Sequence, residues 1–196
     1  MAGDFAFRAP IDAARDVLAG GATGAVSSGD GLPARLRATI VERTADAALT
    51  ALQVPLRILD VACGGGELLH EMVVRVPYGE AFVGVDDDPD ALAAARGIAD
   101  PRMEFRLAAP ESLPFDDASF DLVVAAGGVL TWRDPAAGLA ELARVVSDGG
   151  RVVVAERARA GRTVRDLLER AGLSLERAET VARLGLPSVR AFIAFL

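Results

Sequence analysis

The sequence predicts an α/β fold: a doubly wound, seven-stranded sheet, mainly parallel, with an antiparallel hairpin at its C-terminal edge and helices on both faces. Three observations carry this. From Leu56 onward, short β-branched runs alternate with segments of helical period, a pattern that implies right-handed crossovers and a parallel sheet covered on both sides. The last two β-rich runs follow each other with no helical segment between them, so they can pair antiparallel. The length of 196 residues, with 52% hydrophobic and 25% charged, suits one core and leaves little room for a second.

In chain order, a short helix is expected around Ile11 to Leu18, followed by GGATGAVSSGDG (20–31), whose composition resists regular structure. Between Pro33 and Leu52, Leu36, Ile40, Ala47 and Ala51 recur near helical intervals, with Arg35, Arg37, Glu42, Arg43 and Asp46 between them, so an amphipathic helix is expected. Residues 1–55 therefore read as an N-terminal helical and flexible segment, either a lid or a tail, and residues 56–196 as the main domain. Within that domain strands are expected at 56–61, 80–86, 102–107, 119–125 and 150–156, and helices near 66–76, 88–99 and 135–146. A further helix near 162–171 precedes the hairpin strands at 174–182 and 189–195.

Bulk chemistry narrows the function. One cysteine, Cys63, excludes an internal disulfide, and with a single histidine, His70, no metal site is expected. A net charge of -7 and no dense basic cluster argue against nucleic acid as a partner. The longest apolar stretch, Leu122 to Leu130, is about half a membrane span and carries two glycines, so no transmembrane helix is expected. MAGDFAFRAPIDAARD has acids and arginines where a secretory signal needs a basic start and an apolar run, which reads as cytoplasmic.

The most informative segment is ILDVACGGGELLHEM (58–72), a strand entering a glycine-rich turn and then an amphipathic helix with Leu68, Leu69, Met72 and Val76 on its apolar face. Gly64 to Gly66 remove the β-carbons that would keep a ligand off the backbone, and the free amides at the helix start provide donors. The second strand ends in VGVDDDPDAL, with Asp86 twenty positions after Gly66, where a carboxylate can accept both hydroxyls of a ribose. Helix capping by Asp86 to Asp88 before Pro89 explains neither that spacing nor the placement at adjacent strand ends.

Asp60-Val-Ala-Cys-Gly-Gly-Gly66 resembles the Asp/Glu-x-Gly-x-Gly-x-Gly signature of the class I S-adenosylmethionine (SAM) dependent methyltransferases, a Rossmann-like family, with Ala62 in place of the first glycine. ESLPFDDASFDLVV (111–124) resembles the family's Leu-Pro-Phe segment leading into strand four. LAELARVVSDGGRVVVAE (139–156) resembles its helix, Gly-Gly turn and fifth strand. The resemblance covers residues 56–196. It implies SAM as cofactor, with Asp60 orienting the loop beside the cofactor's amino group. Cys63 and Gly64 would line the methionine part through their backbone, with Ala62 and Gly66 also among the cofactor-binding residues, Asp86 would hold the ribose, and Ala125 and Ala126 would contact the methionine end and lie beside the transferred methyl. A dinucleotide would need Gly-x-Gly-x-x-Gly, which Ala62 to Leu68 does not supply.

The adenine end departs from the pattern. Where the family usually has an acid and then a backbone amide, this chain has Ala109 and Pro110, which offer neither a carboxylate nor an amide hydrogen. The residue after the ribose acid, often apolar against the adenine face, is Asp87.

Methyl transfer from a sulfonium is an in-line displacement that needs alignment and dryness more than elaborate catalytic groups. Where an acceptor must lose a proton, Glu156 at the end of the fifth strand is the candidate base; His70, off the apolar face, reads as a surface residue. Trp132 and Arg133 either line the acceptor pocket or, for Trp132, cap the core edge, before a helix whose N-cap is expected at Asp134. The four arginines of ERARAGRTVR (156–165) attract an acidic acceptor or simply flank a helix. The expectation is a methyltransferase acting on a small-molecule acceptor. The alternative is a protein of this fold that does not transfer methyl groups, which Asp87, Ala109 and Pro110 favour. The hairpin at 174–195 offers an edge for homodimer pairing.

Overall fold

The computed structural model describes residues 34–50, 57–182 and 188–196; the expected helix at 11–18 and the stretch at 20–31 lie outside them. Seven strands form one sheet: β1 (Arg57–Val61), β2 (Ala81–Asp86), β3 (Met103–Leu107), β4 (Phe120–Ala126), β5 (Val146–Arg157), β6 (Ser174–Ala182) and β7 (Val189–Phe195). Their order is β3-β2-β1-β4-β5-β7-β6. Neighbours from β3 to β5 are parallel, and β7 is antiparallel to both β5 and β6. The hairpin is therefore present as expected, its returning strand inserted beside β5 and β6 left on the edge.

The helices are α1 (Ala34–Leu49), α2 (Glu67–Arg75), α3 (Pro89–Gly97), α4 (Pro135–Val145) and α5 (Gly161–Arg170). Their ends obey local chemistry. Asp88 caps α3 by accepting from Asp90 N–H with Pro89 behind it, and Asp134 caps α4 by accepting from Ala136 and Ala137 N–H at 3.0 and 3.1 Å, with Pro135 in the first turn. On α2, Arg75 pairs with Glu71 one turn back and with Asp46 on α1, which fastens those two helices together.

The sheet separates two apolar layers. Ile40, Ala45, Ala47 and Ala48 of α1 join Leu69, Met72, Val73 and Leu92 against one face, and Leu139, Leu142, Val145, Val164 and Leu168 cover the other. The central strands are buried on both sides, as parallel strands between helical layers must be. On α2 the apolar face includes Val73, which the sequence pattern had not marked, while Val76 is buried at the C-cap.

One boundary moved substantially. β5 begins at Val146, not 150, because Val146 pairs with Phe120 before a register shift. Gly150 makes that irregularity possible: a β-carbon there would lie 2.8 Å from the Asp121 carbonyl oxygen. The strand order reverses between β1 and β4, and the crevice beyond their carboxyl ends is where open α/β sheets bind ligands. Among the described residues, no helix is long and apolar enough to cross a membrane.

Candidate active site

Leaving β1, the chain passes through Ala62 (φ +57°), Gly64 (φ +54°) and Gly66 (φ +80°), three left-handed residues within five, and then starts α2. For Ala62 that conformation costs roughly 1–2 kcal/mol, so replacing the signature's first glycine is less benign than the similar size of the two residues suggests. The loop is held from below and from the side. Cys63 N–H donates to the Val85 carbonyl (2.9 Å), Gly66 N–H to the Cys63 carbonyl (2.9 Å), and Gly64 N–H to Asp86 Oδ2 (2.8 Å). Phe105 of β3 forms the floor: a β-carbon on Gly84 would meet its ring at 2.7 Å and the Cys63 sulfur at 2.9 Å, and one on Gly66 would meet it at 3.0 Å.

Asp86 has two duties. Its Oδ2 takes the Gly64 amide and its Oδ1 takes the Asp88 amide (2.9 Å), so it shapes the glycine loop while each oxygen keeps a lone pair for a ligand. Asp60, at the end of β1, is 1% exposed, and its Oδ2 has no hydrogen-bond partner among the described residues. Burial, then the Asp86 and Glu67 carboxylates, push its pKa well above the usual carboxylate range. Burial and the same acids push the Cys63 thiol up, so it is protonated and inert. Asp60, Asp86 and Glu67 thus set three carboxylates beside the glycine loop.

β4 supplies the other wall. Ala125 is buried and Ala126 half-buried; the chain then turns through Gly127 and Gly128, both left-handed, with Gly127 N–H on the Ala155 carbonyl (2.8 Å), into a short 3₁₀ turn at Val129–Thr131. Trp132 follows, half-buried, its ring lying over Gly138 of α4, and Arg133 is exposed. After β3, Ala108 N–H reaches the Asp86 carbonyl (3.0 Å), Ala109 is half-buried and Pro110 is buried. Asp87 is exposed. Glu111 accepts from Asp134 N–H (2.9 Å), which engages one of its carboxylate oxygens. Glu156, 9% exposed at the carboxyl end of β5, accepts from Arg157 N–H (2.8 Å) and stands across the ladder from Arg190. His70 is half-buried on α2, with its own amide on the Gly66 carbonyl.

Residues 59–154 match the family model described as "Methyltransferase domain". That match, with the relatives below, supports a class I SAM-dependent methyltransferase family for this chain. A demethylmenaquinone methyltransferase from Thermus thermophilus is 42% identical over 117 residues, covering 58% of this chain and 52% of that protein. The chain spans about half the length of the relatives it matches. Among solved structures, a SAM dependent methyltransferase from Aquifex aeolicus superposes with a TM-score of 0.69 at 15% identity, over 85% of this chain and 100% of that one. The [4+2]-cyclase SpnF superposes with a TM-score of 0.68 at 19% identity, over 79% of this chain and 80% of that one. Both likenesses establish the fold.

The family match encloses the glycine loop, Asp86, the Ala109–Pro110 step and β4, and it ends inside β5 before Glu156. The geometry brings Asp60, Ala62, Cys63, Gly64, Gly66 and Asp86 into one cluster. Three contributors escaped sequence reasoning. Glu67 places its carboxylate 3.0 Å from where a Gly65 β-carbon would be, Phe105 floors the loop from an edge strand, and Gly138 seats Trp132. Only Glu67 carried a signal, its position directly after the last glycine.

Proposed function

We propose that the chain binds SAM across the carboxyl ends of β1, β2 and β4 and aligns it for methyl transfer to a small-molecule acceptor. The observation that carries this is the buried Asp60 carboxylate, whose Oδ2 has no hydrogen-bond partner among the described residues, at the start of a glycine loop that is itself tied to Asp86. Asp60 would hold the ammonium group, the backbone of Ala62 to Gly66 the rest of the methionine part, and the free lone pairs of Asp86 the ribose hydroxyls. SAM, when bound, supplies a methyl group made electrophilic by its positive sulfur. Ala125 and Ala126, having minimal side chains, leave that methyl accessible from the β4 side. Alignment and exclusion of water are this chain's main contributions. Glu156, buried and held by the Arg157 amide, is positioned to take a proton from an acceptor hydroxyl, a step worth about 10²- to 10⁴-fold. The names of the matched relatives make demethylmenaquinone the first acceptor to assay.

The adenine end fits less well: Pro110 is buried without an amide hydrogen, Ala109 lacks a carboxylate, and Glu111 already serves Asp134. These residues support a second reading, a methyltransferase-fold protein that binds an adenosyl ligand weakly and methylates nothing.

Calorimetric titration with SAM and S-adenosylhomocysteine tests both readings. Binding tighter than about 1 mM that is lost in Asp86→Asn supports the first contact set. Because Asp86 also anchors Gly64, circular dichroism and thermal melts accompany the variant. No binding heat removes the methyltransferase reading; binding with no methyl transfer to any quinol favours the second.

A further inference from the structure

Two loops at the carboxyl edge, 108–113 after β3 and 127–134 after β4, are joined by contacts that the fold alone does not require. A β-carbon built on Gly138 would lie 2.4 Å from Trp132 Cε3, 2.7 Å from Cζ3 and 3.5 Å from Pro110 Cβ. The indole therefore occupies the space of a missing side chain on α4, with Pro110 at its border. Gly138 lies inside a helix and needs no left-handed backbone, so the seat it leaves for Trp132 accounts for a residue that otherwise weakens helices. A second strut runs alongside: Glu111 Oε1 accepts from Asp134 N–H at 2.9 Å, joining the β3 loop to the residue that caps α4. Further along, Leu113 N–H donates to Glu141 Oε2 (2.8 Å), and Arg144 donates to the Leu113 and Phe115 carbonyls (3.1 and 2.8 Å), so this loop is bound to α4 along its length.

We infer that Trp132 is a positioning residue that couples the two loops: a ligand pressing on Ala109 and Pro110 resets the 127–134 loop through the seat at Gly138, which Pro110 and Trp132 both border, and through the Glu111–Asp134 hydrogen bond. This rests on the proposed placement of the adenine beside Ala109 and Pro110. It makes the acceptor side of the crevice respond to cofactor occupancy, because the tied β3 and β4 loops shift and stiffen together.

Trp132 is the only tryptophan in the chain, so its emission reports this contact directly. The full chain is titrated with S-adenosylhomocysteine and followed by calorimetry, tryptophan emission and hydrogen exchange of residues 127–134. In the parent chain, emission changes and exchange slows with the midpoint that calorimetry gives. Gly138→Ala displaces the indole and is expected to keep affinity within about threefold while the emission change falls below about half. Glu111→Ala, which removes a half-buried strut and leaves the core intact, keeps the binding heat and loses the slowing of exchange. Heat with no emission or exchange response in the parent chain overturns the coupling alone, as does an undiminished response in both variants. Absence of heat overturns the cofactor reading and the coupling with it.

Discussion

Replacing Asp60 with Asn removes a charge the free protein does not compensate while keeping the shape of the side chain. In the structure, Asp60 is 1% exposed and its Oδ2 lacks a hydrogen-bond partner among the described residues. Burial penalises the charged form of Asp60, and Asn removes that charge while keeping an acceptor of the same shape, so Asp60→Asn is expected to stabilise the ligand-free chain by about 1 kcal/mol or more at pH 7. For a domain of this size that raises the melting temperature by about 2–4 °C per kcal/mol. The same change is expected to weaken SAM binding by at least about tenfold, or 1.4 kcal/mol, because the neutral amide no longer balances the ligand's cationic end. The pH dependence has a definite sign. Burial first, then Asp86 and Glu67, hold the folded-state pKa of Asp60 above its unfolded value of 3.8. The Asn variant's advantage is therefore complete above the folded pKa, shrinks as pH falls below it, and is gone once pH is below the unfolded value. Scanning calorimetry of both proteins across that range measures it directly. A variant that melts at or below the parent temperature at pH 7 refutes the claim that Asp60 is an uncompensated buried acid awaiting a cation.

Two further outcomes follow from the same loop. Ala62→Gly relieves the left-handed backbone at φ +57°, worth roughly 1–2 kcal/mol, against about 0.5–1 kcal/mol of added unfolded-state freedom, so chemical denaturation should show a net gain of about 0.5–1 kcal/mol. Cys63, whose thiol is pushed up by burial and then by Asp60 and Asp86, is expected to resist iodoacetamide at pH 8 in the folded chain and react at an ordinary rate once unfolded; mass spectrometry reads both states, and prompt labelling of the native protein contradicts the burial argument.

Much of the fold was legible because it rests on local signals. Alternating strand and helix periods located the strands that lead to the crevice, and Asp134 followed by Pro135 announced a cap that the structure contains. The start of β5 was not legible, since Ser147 to Gly150 reads as a turn, whereas Gly150 lets the ladder bend past Asp121 and begin earlier. In the site, the glycine loop and Asp86 were visible because their spacing reflects one short strand–turn–helix unit. Phe105 and Gly138 were not, because their importance arises from what packs against them across the fold: a ring on an edge strand beneath Gly84, and a helical glycine under an indole. No periodicity in one sequence encodes such a contact.

The two ends of the crevice differ in how nearly complete they are without a ligand. On the β1–β2 side the chain holds Ala62 in a costly backbone, buries Asp60 with its Oδ2 unpartnered among the described residues and crowds it with Asp86 and Glu67. On the β3–β4 side the polar groups are largely engaged: Glu111 with Asp134, Glu141 with Leu113 and Arg144, and Pro110 packed where an amide would otherwise need a partner. A ligand therefore gains most where the protein is unfinished, at a cationic group set beside Asp60, and least at the adenine, where little is left unsatisfied. Recognition built this way selects for the ammonium group of the ligand's amino-acid end, and S-adenosylhomocysteine, which keeps that end and lacks the methyl group and with it the sulfonium charge, should retain most of the binding heat of SAM.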